Sequence, residues 1–139
     1  MFLNFLINMS NILFSLIVPT YNRESFIVKT IQSVLSQTYL NFELIIVDDG
    51  STDNTEQVIG KIRDKRIKYY KKKNDERVAA RNYYATNKAK DGFVKFLDSD
   101  DLLYSKYLEE ANLFIKKIDL KIFFINYLKL KSLILYYYS

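Results

Sequence analysis

Four runs, Phe14 to Val18, Phe42 to Val47, Arg66 to Tyr70 and Phe93 to Leu97, read as strands, and the stretches that follow them carry the spacing of helices. Ile27, Ile31, Val34 and Leu35 recur at i, i+4, i+7 and i+8, the apolar stripe of one helix face. Val58, Ile59 and Ile62 form the inward face of a second helix, whose start resembles a capping box at Asp53-x-x-Glu56. Glu76 to Lys90 reads as a third, and Leu108, Ala111, Ile115 and Ile118 mark a fourth. Strands alternating with helices predict an α/β fold, a mostly parallel sheet with helices on both faces.

A chain of 139 residues, 49% hydrophobic, has the material for one buried core. Cysteine and histidine are absent, which removes disulfides, thiolate or imidazole metal sites, and Ser-His or Cys-His catalytic pairs. Any metal must therefore be held by oxygen. Glycine occurs only at 50, 60 and 92, so neither the dinucleotide-binding nor the phosphate-loop signature can be written. The net charge of +5 suits phosphates or anionic lipid but is ordinary for a Lys-rich cytosolic protein.

Residues 1–13 are expected to be an apolar extension without a signal peptide's positive start, with Met9 as an alternative initiator. Residues 14–118 are the expected α/β domain. Residues 119–139 are an atypical apolar and Lys-rich tail, strand-like or surface-associated, interrupted by Lys121, Lys129 and Lys131. No stretch reaches 18 uninterrupted apolar residues, so no transmembrane helix is expected.

Polar and acidic residues stand directly behind three of the strands: Pro19-Thr20-Tyr21-Asn22, Asp48-Asp49-Gly50-Ser51 and Asp98-Ser99-Asp100-Asp101. In an open α/β sheet such strand ends line one crevice, where ligands bind. Asp98 and Asp100, two apart, would point to the same side of an extended backbone. Carboxylates about 4 Å apart repel by roughly 4 kcal/mol at an effective dielectric near 20. Mg²⁺ or Mn²⁺, which take carboxylate oxygen and bridge it to ligand phosphates, would compensate that charge and neutralise a departing diphosphate. Arg81 is the candidate for a bidentate phosphate clamp. Tyr21 offers a flat ring for a base, and Asp49 an acceptor for a base N–H or ribose hydroxyl. The plainer alternatives are that Asp48 to Thr55 and Asp98 to Asp101 are only turns and helix caps, and that Lys71 to Lys73 is a solvated strand end.

Five segments in this order and spacing, Ser15 to Arg23, Ser33 to Tyr39, Phe42 to Asp53, Ala80-Arg81-Asn82 and Phe96 to Asp101, resemble the amino-terminal half of glycosyltransferase family 2. The resemblance implies a GT-A type fold and metal-dependent transfer of a sugar, with inversion, from a nucleotide-diphosphate donor to an acceptor hydroxyl. Pro19, Tyr21 and Asp49 would then contact base and ribose. Asp98 would lie near the ribose or sugar, Asp100 on Mn²⁺ or Mg²⁺, and Arg81 near the phosphates, although the interval from Arg81 to Asp98 is about one residue longer than usual. A UDP-sugar is the expected donor and a carbohydrate or lipid-linked molecule the expected acceptor. Nucleic acid is not an expected partner. The expected location is the cytoplasm, with peripheral contact at the inner membrane face.

The family's domain continues beyond this length and supplies its general base in the later part, so the chain is expected to be truncated, and no catalytic base can be nominated. Two other readings stand beside a working transferase: a non-catalytic remnant that keeps only the donor half, and a receiver-like Mg²⁺-dependent phosphoacceptor using Asp48, Asp49 and Asp98. In receivers, however, the acidic pair follows the first strand. A basic nucleic-acid module would rest on Lys61 to Lys73 interleaved with Tyr69 and Tyr70, without any named motif.

Overall fold

A computed structural model describes residues 12–72 and 93–118. The expected helix over 76–90, the tail 119–139 and the extension before Ile12 lie outside the described residues.

Strands β1 (Phe14–Thr20), β2 (Phe42–Asp48), β3 (Ile67–Lys71) and β4 (Phe93–Phe96) form one sheet in the order β3-β2-β1-β4, all parallel. The chain winds outward from β1 through β2 to β3, then returns to the other side of β1. That reversal between β1 and β4 is a topological switch point, where the strand ends part and leave a crevice. The order also differs from the receiver arrangement, in which β1 lies between β2 and β3.

Helix α1 (Ile27–Leu35) buries Ile27, Thr30, Ile31 and Val34, the face its spacing predicts. Helix α2 (Thr55–Gly60) follows β2, and residues 107–118 form α3. Alternation along the strands sends Phe14, Leu16, Val18, Leu44 and Ile46 to one face of the sheet. There they form the main core with Ile27, Ile31 and Val34 of α1, Ile59 of α2 and Leu108 of α3. Ile17, Ile45 and Val47 point to the opposite face, with Tyr70 and Phe96 packed against them. Both faces are therefore buried, which is why β1 and β2 read as continuous apolar runs. On the second face the polar residues pair with one another. Ser15 Oγ donates to Glu43 Oε1 at 2.7 Å and Lys68 Nζ meets Glu43 Oε2 at 2.7 Å, so the buried Glu43 is satisfied on both oxygens.

Strand limits differ from expectation by one or two residues. β1 continues through Pro19 and Thr20, and β4 stops before Leu97. The capping box does not form. Asp53 Oδ1 accepts from Thr55 N–H at 3.0 Å and its Oδ2 from Glu24 N–H at 3.2 Å, while Glu56 turns away to Lys71 Nζ at 2.7 Å. Asp53 is drawn into tying two loops together, and the ion pair outcompetes a weak local cap.

The turn into β3 is set by Asp64. Its carboxylate accepts from Arg66 N–H, Nε and Nη2 at 2.9, 3.0 and 2.8 Å, while the guanidinium lies 4.3 Å from the centre of the Phe42 ring. The hydrogen bonds from Arg66 hold the Asp64 carboxyl down at about 2, below its usual 3.8. A depressed folded-state value means that the contribution is complete above 3.8 and fades as pH falls toward 2. Asp64→Asn is therefore expected to flatten the acid limb of melting temperature against pH across that window. The effect is at most about 1 kcal/mol, since the pair is partly solvated. An unchanged acid limb would show that the pair does not survive in solution.

Candidate functional site

A crevice of about 540 Å³ opens at the carboxyl ends of β1, β2 and β4, lined by Pro19, Thr20, Tyr21, Arg23, Val47, Asp49, Asp98, Ser99 and Asp100. Pairing between β1 and β4 ends at Ile17 and Phe96, closed by Leu97 N–H donating to the Ile17 carbonyl at 3.0 Å. Leu13, just before β1, and Ile17 within it accept from the β4 side, and Thr20 accepts Asp49 N–H from the β2 side. By that alternation the missing N–H of Pro19 faces the gap beyond the end of β4. A proline costs this strand no ladder bond because it stands where the ladder has already stopped.

The acidic pair behind β2 divides. Successive residues of a strand face opposite sides, and Asp48 turns toward the helix side, where it is fully buried. Its Oδ1 accepts Ser51 N–H at 2.7 Å and its Oδ2 accepts the Tyr69 hydroxyl at 2.5 Å. Burial first, and then this bond to a carboxylate, push the Tyr69 phenol well above its ordinary value. Asp49 turns into the crevice. It is 7% exposed; Oδ1 is 3.1 Å from Lys72 Nζ, an ion pair not aligned as a hydrogen bond, and Oδ2 has no hydrogen-bond partner among the described residues. The Thr20 hydroxyl, also buried against the crevice, is likewise without one among the described residues. A buried carboxylate oxygen and a buried hydroxyl left unpaired form a place prepared for ligand hydrogen bonds.

The loops behind β1 and β2 are pinned to one another. Asn22 N–H donates to Ser51 Oγ at 2.9 Å, Thr52 N–H returns a bond to Asn22 Oδ1 at 2.8 Å, and Arg23 N–H donates to Thr55 Oγ1 at 2.9 Å. Asn54 N–H adds a bond to Glu24 Oε2 at 2.8 Å. Asn22 (φ 51°) and Gly50 (φ 80°) make the left-handed turns this requires, conformations that Asn and Gly adopt at least cost. Most of the polar motif residues are thus rivets. They leave Tyr21, Arg23 and Asp49 to reach the crevice from these loops.

The extended reading of Asp98-Ser99-Asp100 is corrected. Asp101 N–H donates to the Asp98 carbonyl at 3.0 Å, so the segment is a turn, as its Asp and Ser content favours once the strand has ended. Both residues nonetheless line the same crevice as Asp49 and are exposed. Compensation of the acidic cluster is also corrected: Asp48 and Asp49 find their partners in Ser51, Tyr69 and Lys72. Asp98 and Asp100 are, among the described residues, the exposed acidic residues lining the crevice. Among the described residues no three acidic side chains gather to form a complete metal cage. Asp98 and Asp100 do fit a Mg²⁺ or Mn²⁺ ion of the kind held by one or two carboxylates plus ligand phosphates and water.

Arg81 lies outside the described residues. Arg23 was the cation missed from the sequence: among the described residues it is the one positive residue lining the crevice, and its place directly after the β1 motif was the available signal. Lys68, Lys71 and Lys72, part of the basic stretch, are ion-paired with Glu43, Glu56 and Asp49. The Lys68 and Lys72 pairs are partly buried, whereas the Lys71–Glu56 pair is exposed.

The family model described as glycosyl transferase family 2 matches residues 15–129. The chain is 37% identical over 119 residues to the Escherichia coli UDP-Glc:alpha-D-GlcNAc-diphosphoundecaprenol beta-1,3-glucosyltransferase WfgD, covering 86% of this chain and 47% of that protein. The crystal structure of S. aureus TarS 1-349 in complex with UDP-GlcNAc superposes with a TM-score of 0.69 at 38% identity, over 75% of this chain and 31% of that one. The mannosyltransferase PcManGT from Pyrobaculum calidifontis, in complex with GDP-Man and Mn²⁺, superposes with a TM-score of 0.58 at 25% identity, over 64% of this chain and 28% of that one. The chain spans less than half the length of the curated relatives compared, from 14% to 47%. Among the described residues no helix is long and apolar enough to cross a membrane.

Proposed function

The chain belongs to glycosyltransferase family 2, and from that premise we propose that residues 14–118 bind a nucleotide-diphosphate sugar, a UDP-sugar before others, in the crevice at the switch point. The observation that carries this reading is a buried Asp49 oxygen without a hydrogen-bond partner among the described residues, lining one opening together with the exposed Asp98 and Asp100. In this arrangement Asp49 accepts a base N–H, Tyr21 covers the base, and Pro19 shapes the floor beneath it. Asp98 meets the ribose or sugar, and Asp100 holds a Mn²⁺ or Mg²⁺ ion. That ion, when bound, neutralises the diphosphate as it leaves. Arg81 and Arg23 are the cations assigned to the phosphates.

The reaction proposed for the whole protein is inverting transfer of the sugar to an acceptor hydroxyl. Inversion needs a base within hydrogen-bond reach of that hydroxyl, and no described residue is assigned the task. The names and ligands of the relatives support the donor half directly: a UDP-Glc enzyme, a UDP-GlcNAc complex and a GDP-Man complex with Mn²⁺. A lipid-linked acceptor, as in the name of WfgD, fits a cytoplasmic protein that visits the inner membrane face.

A thermal-shift panel of UDP, GDP and their sugars, with and without Mn²⁺, tests this reading. UDP with Mn²⁺ at about a hundred times its dissociation constant should add roughly 2.7 kcal/mol, a rise of several degrees. No shift with any nucleotide would remove the donor site. Donor binding without turnover would favour the donor-binding remnant.

A further inference from the structure

The acidic turn has no strand ladder to hold it. Pairing stops at Phe96, and Asp98 to Asp101 lies beyond it. What reaches the turn is α1. Thr30, fully buried in the middle of that helix, donates its hydroxyl at 2.9 Å to the carbonyl of Ser99, the residue between Asp98 and Asp100. Further bonds follow along the same segment. Leu103 N–H donates to Ser33 Oγ at 3.1 Å, Gln37 Nε2 to the Tyr104 carbonyl at 2.8 Å, and Leu108 N–H, in the first turn of α3, to Gln37 Oε1 at 3.0 Å.

Of these bonds only that of Thr30 acts on the peptide unit between Ser99 and Asp100; the preceding unit, between Asp98 and Ser99, is held by Asp101 N–H donating to the Asp98 carbonyl. Rotation of the Ser99 carbonyl would swing the following peptide and carry the Asp100 side chain with it. The other bonds secure the exit of the loop.

We propose that Thr30 is a positioning residue for metal binding: through the Ser99 carbonyl it fixes the turn on which Asp100 meets the cation. This rests on the donor-site reading above. Thr30 touches neither ligand nor metal. Its effect should therefore fall on the metal-dependent part of donor affinity, as the outer partners of metal ligands do.

The experiment is calorimetric titration of the full chain with UDP, with and without Mn²⁺. Thr30→Val keeps the shape and removes the hydroxyl; it is expected to weaken UDP binding in Mn²⁺ about tenfold, with metal-free binding changed by less than about twofold. Thr30→Ser, which restores the donor, should recover most of the loss. Ser15→Ala, which breaks a buried hydrogen bond on the opposite sheet face, should lower the melting temperature and leave the Mn²⁺ increment intact. A full Mn²⁺ increment in Thr30→Val, no rescue by Thr30→Ser, or an equal loss in Ser15→Ala would each overturn the positioning role. If the unaltered chain itself lacks UDP binding or a Mn²⁺ increment, the donor-site reading fails and takes the positioning role with it. An intact increment in the unaltered chain with no change in Thr30→Val overturns the positioning role alone.

Discussion

Replacing Asp100 with Asn should leave the free protein's melting temperature unchanged and remove the stabilisation that Mn²⁺ adds to UDP. Asp100 stands exposed on a turn whose shape is set by bonds to its backbone carbonyls, from the Asp101 N–H to that of Asp98 and from the Thr30 hydroxyl to that of Ser99. Neither bond involves the Asp100 carboxylate, and Asn preserves its size. What Asn lacks is the negative charge. With no third acidic side chain gathered nearby among the described residues, little remains of the described protein to hold a hard cation. Of the roughly 2.7 kcal/mol expected from UDP and Mn²⁺ at a hundredfold excess over the dissociation constant, only the metal-free share should survive. The comparison is a thermal-shift series of both proteins with UDP alone, Mn²⁺ alone and the two together. A full Mn²⁺ response in the Asn variant would take Asp100 out of the site.

The second large effect separates two neighbouring aspartates. Asp48→Ala should destabilise the fold by about 3 kcal/mol, because charge-assisted hydrogen bonds are worth more than neutral ones and the abandoned donors stay buried or half-buried. The Ser51 N–H and the Tyr69 hydroxyl would both lose their acceptor. Asp49→Ala should cost the fold little or nothing, since one of its oxygens has no hydrogen-bond partner among the described residues and its charge is buried beside Lys72. The binding consequences run the other way: Asp49→Ala should lose UDP while remaining folded. Urea unfolding of both variants, with UDP titration of the second, checks the pair. A loss below about 1 kcal/mol in Asp48→Ala would show that the Tyr69 and Ser51 bonds are worth no more than ordinary ones. Ultraviolet titration offers an independent sign, because without Asp48 the Tyr69 phenol should ionise at lower pH than in the unaltered protein.

Much of this was legible in order. The strands β1 and β2 stood out because a parallel sheet buries both faces, leaving uninterrupted apolar runs, and α1 because its buried face repeats at helical spacing. The three motifs at the strand ends were found for the same reason: sequence alternation places them at one edge of the sheet. Roles within the motifs were harder to read. Asn22, Ser51, Asp53 and Thr55 have the same chemistry as ligand-binding residues, but their hydrogen bonds run between loops thirty residues apart, and no local pattern marks such pairs. The segment Ser33 to Tyr39 was legible as a motif without a task. Its Ser33 and Gln37 prove to hold the approach to α3.

The amino-acid order alone determined the alternation of strand and helix, the exclusion of thiol and imidazole chemistry, and the placing of carboxylates behind strands. These follow from periodicity and residue type, which are local. Tertiary structure decided which carboxylate is taken up by the fold and which is turned to the crevice. Asp48 and Asp49 are chemically identical and adjacent, and they differ only in what the pleat turns them toward: Tyr69 and Ser51 on one side, an open crevice on the other. Likewise, only packing brought a helix hydroxyl to the carbonyl between two aspartates, because a bond spanning sixty-nine positions exists solely once the sheet and α1 have closed on each other.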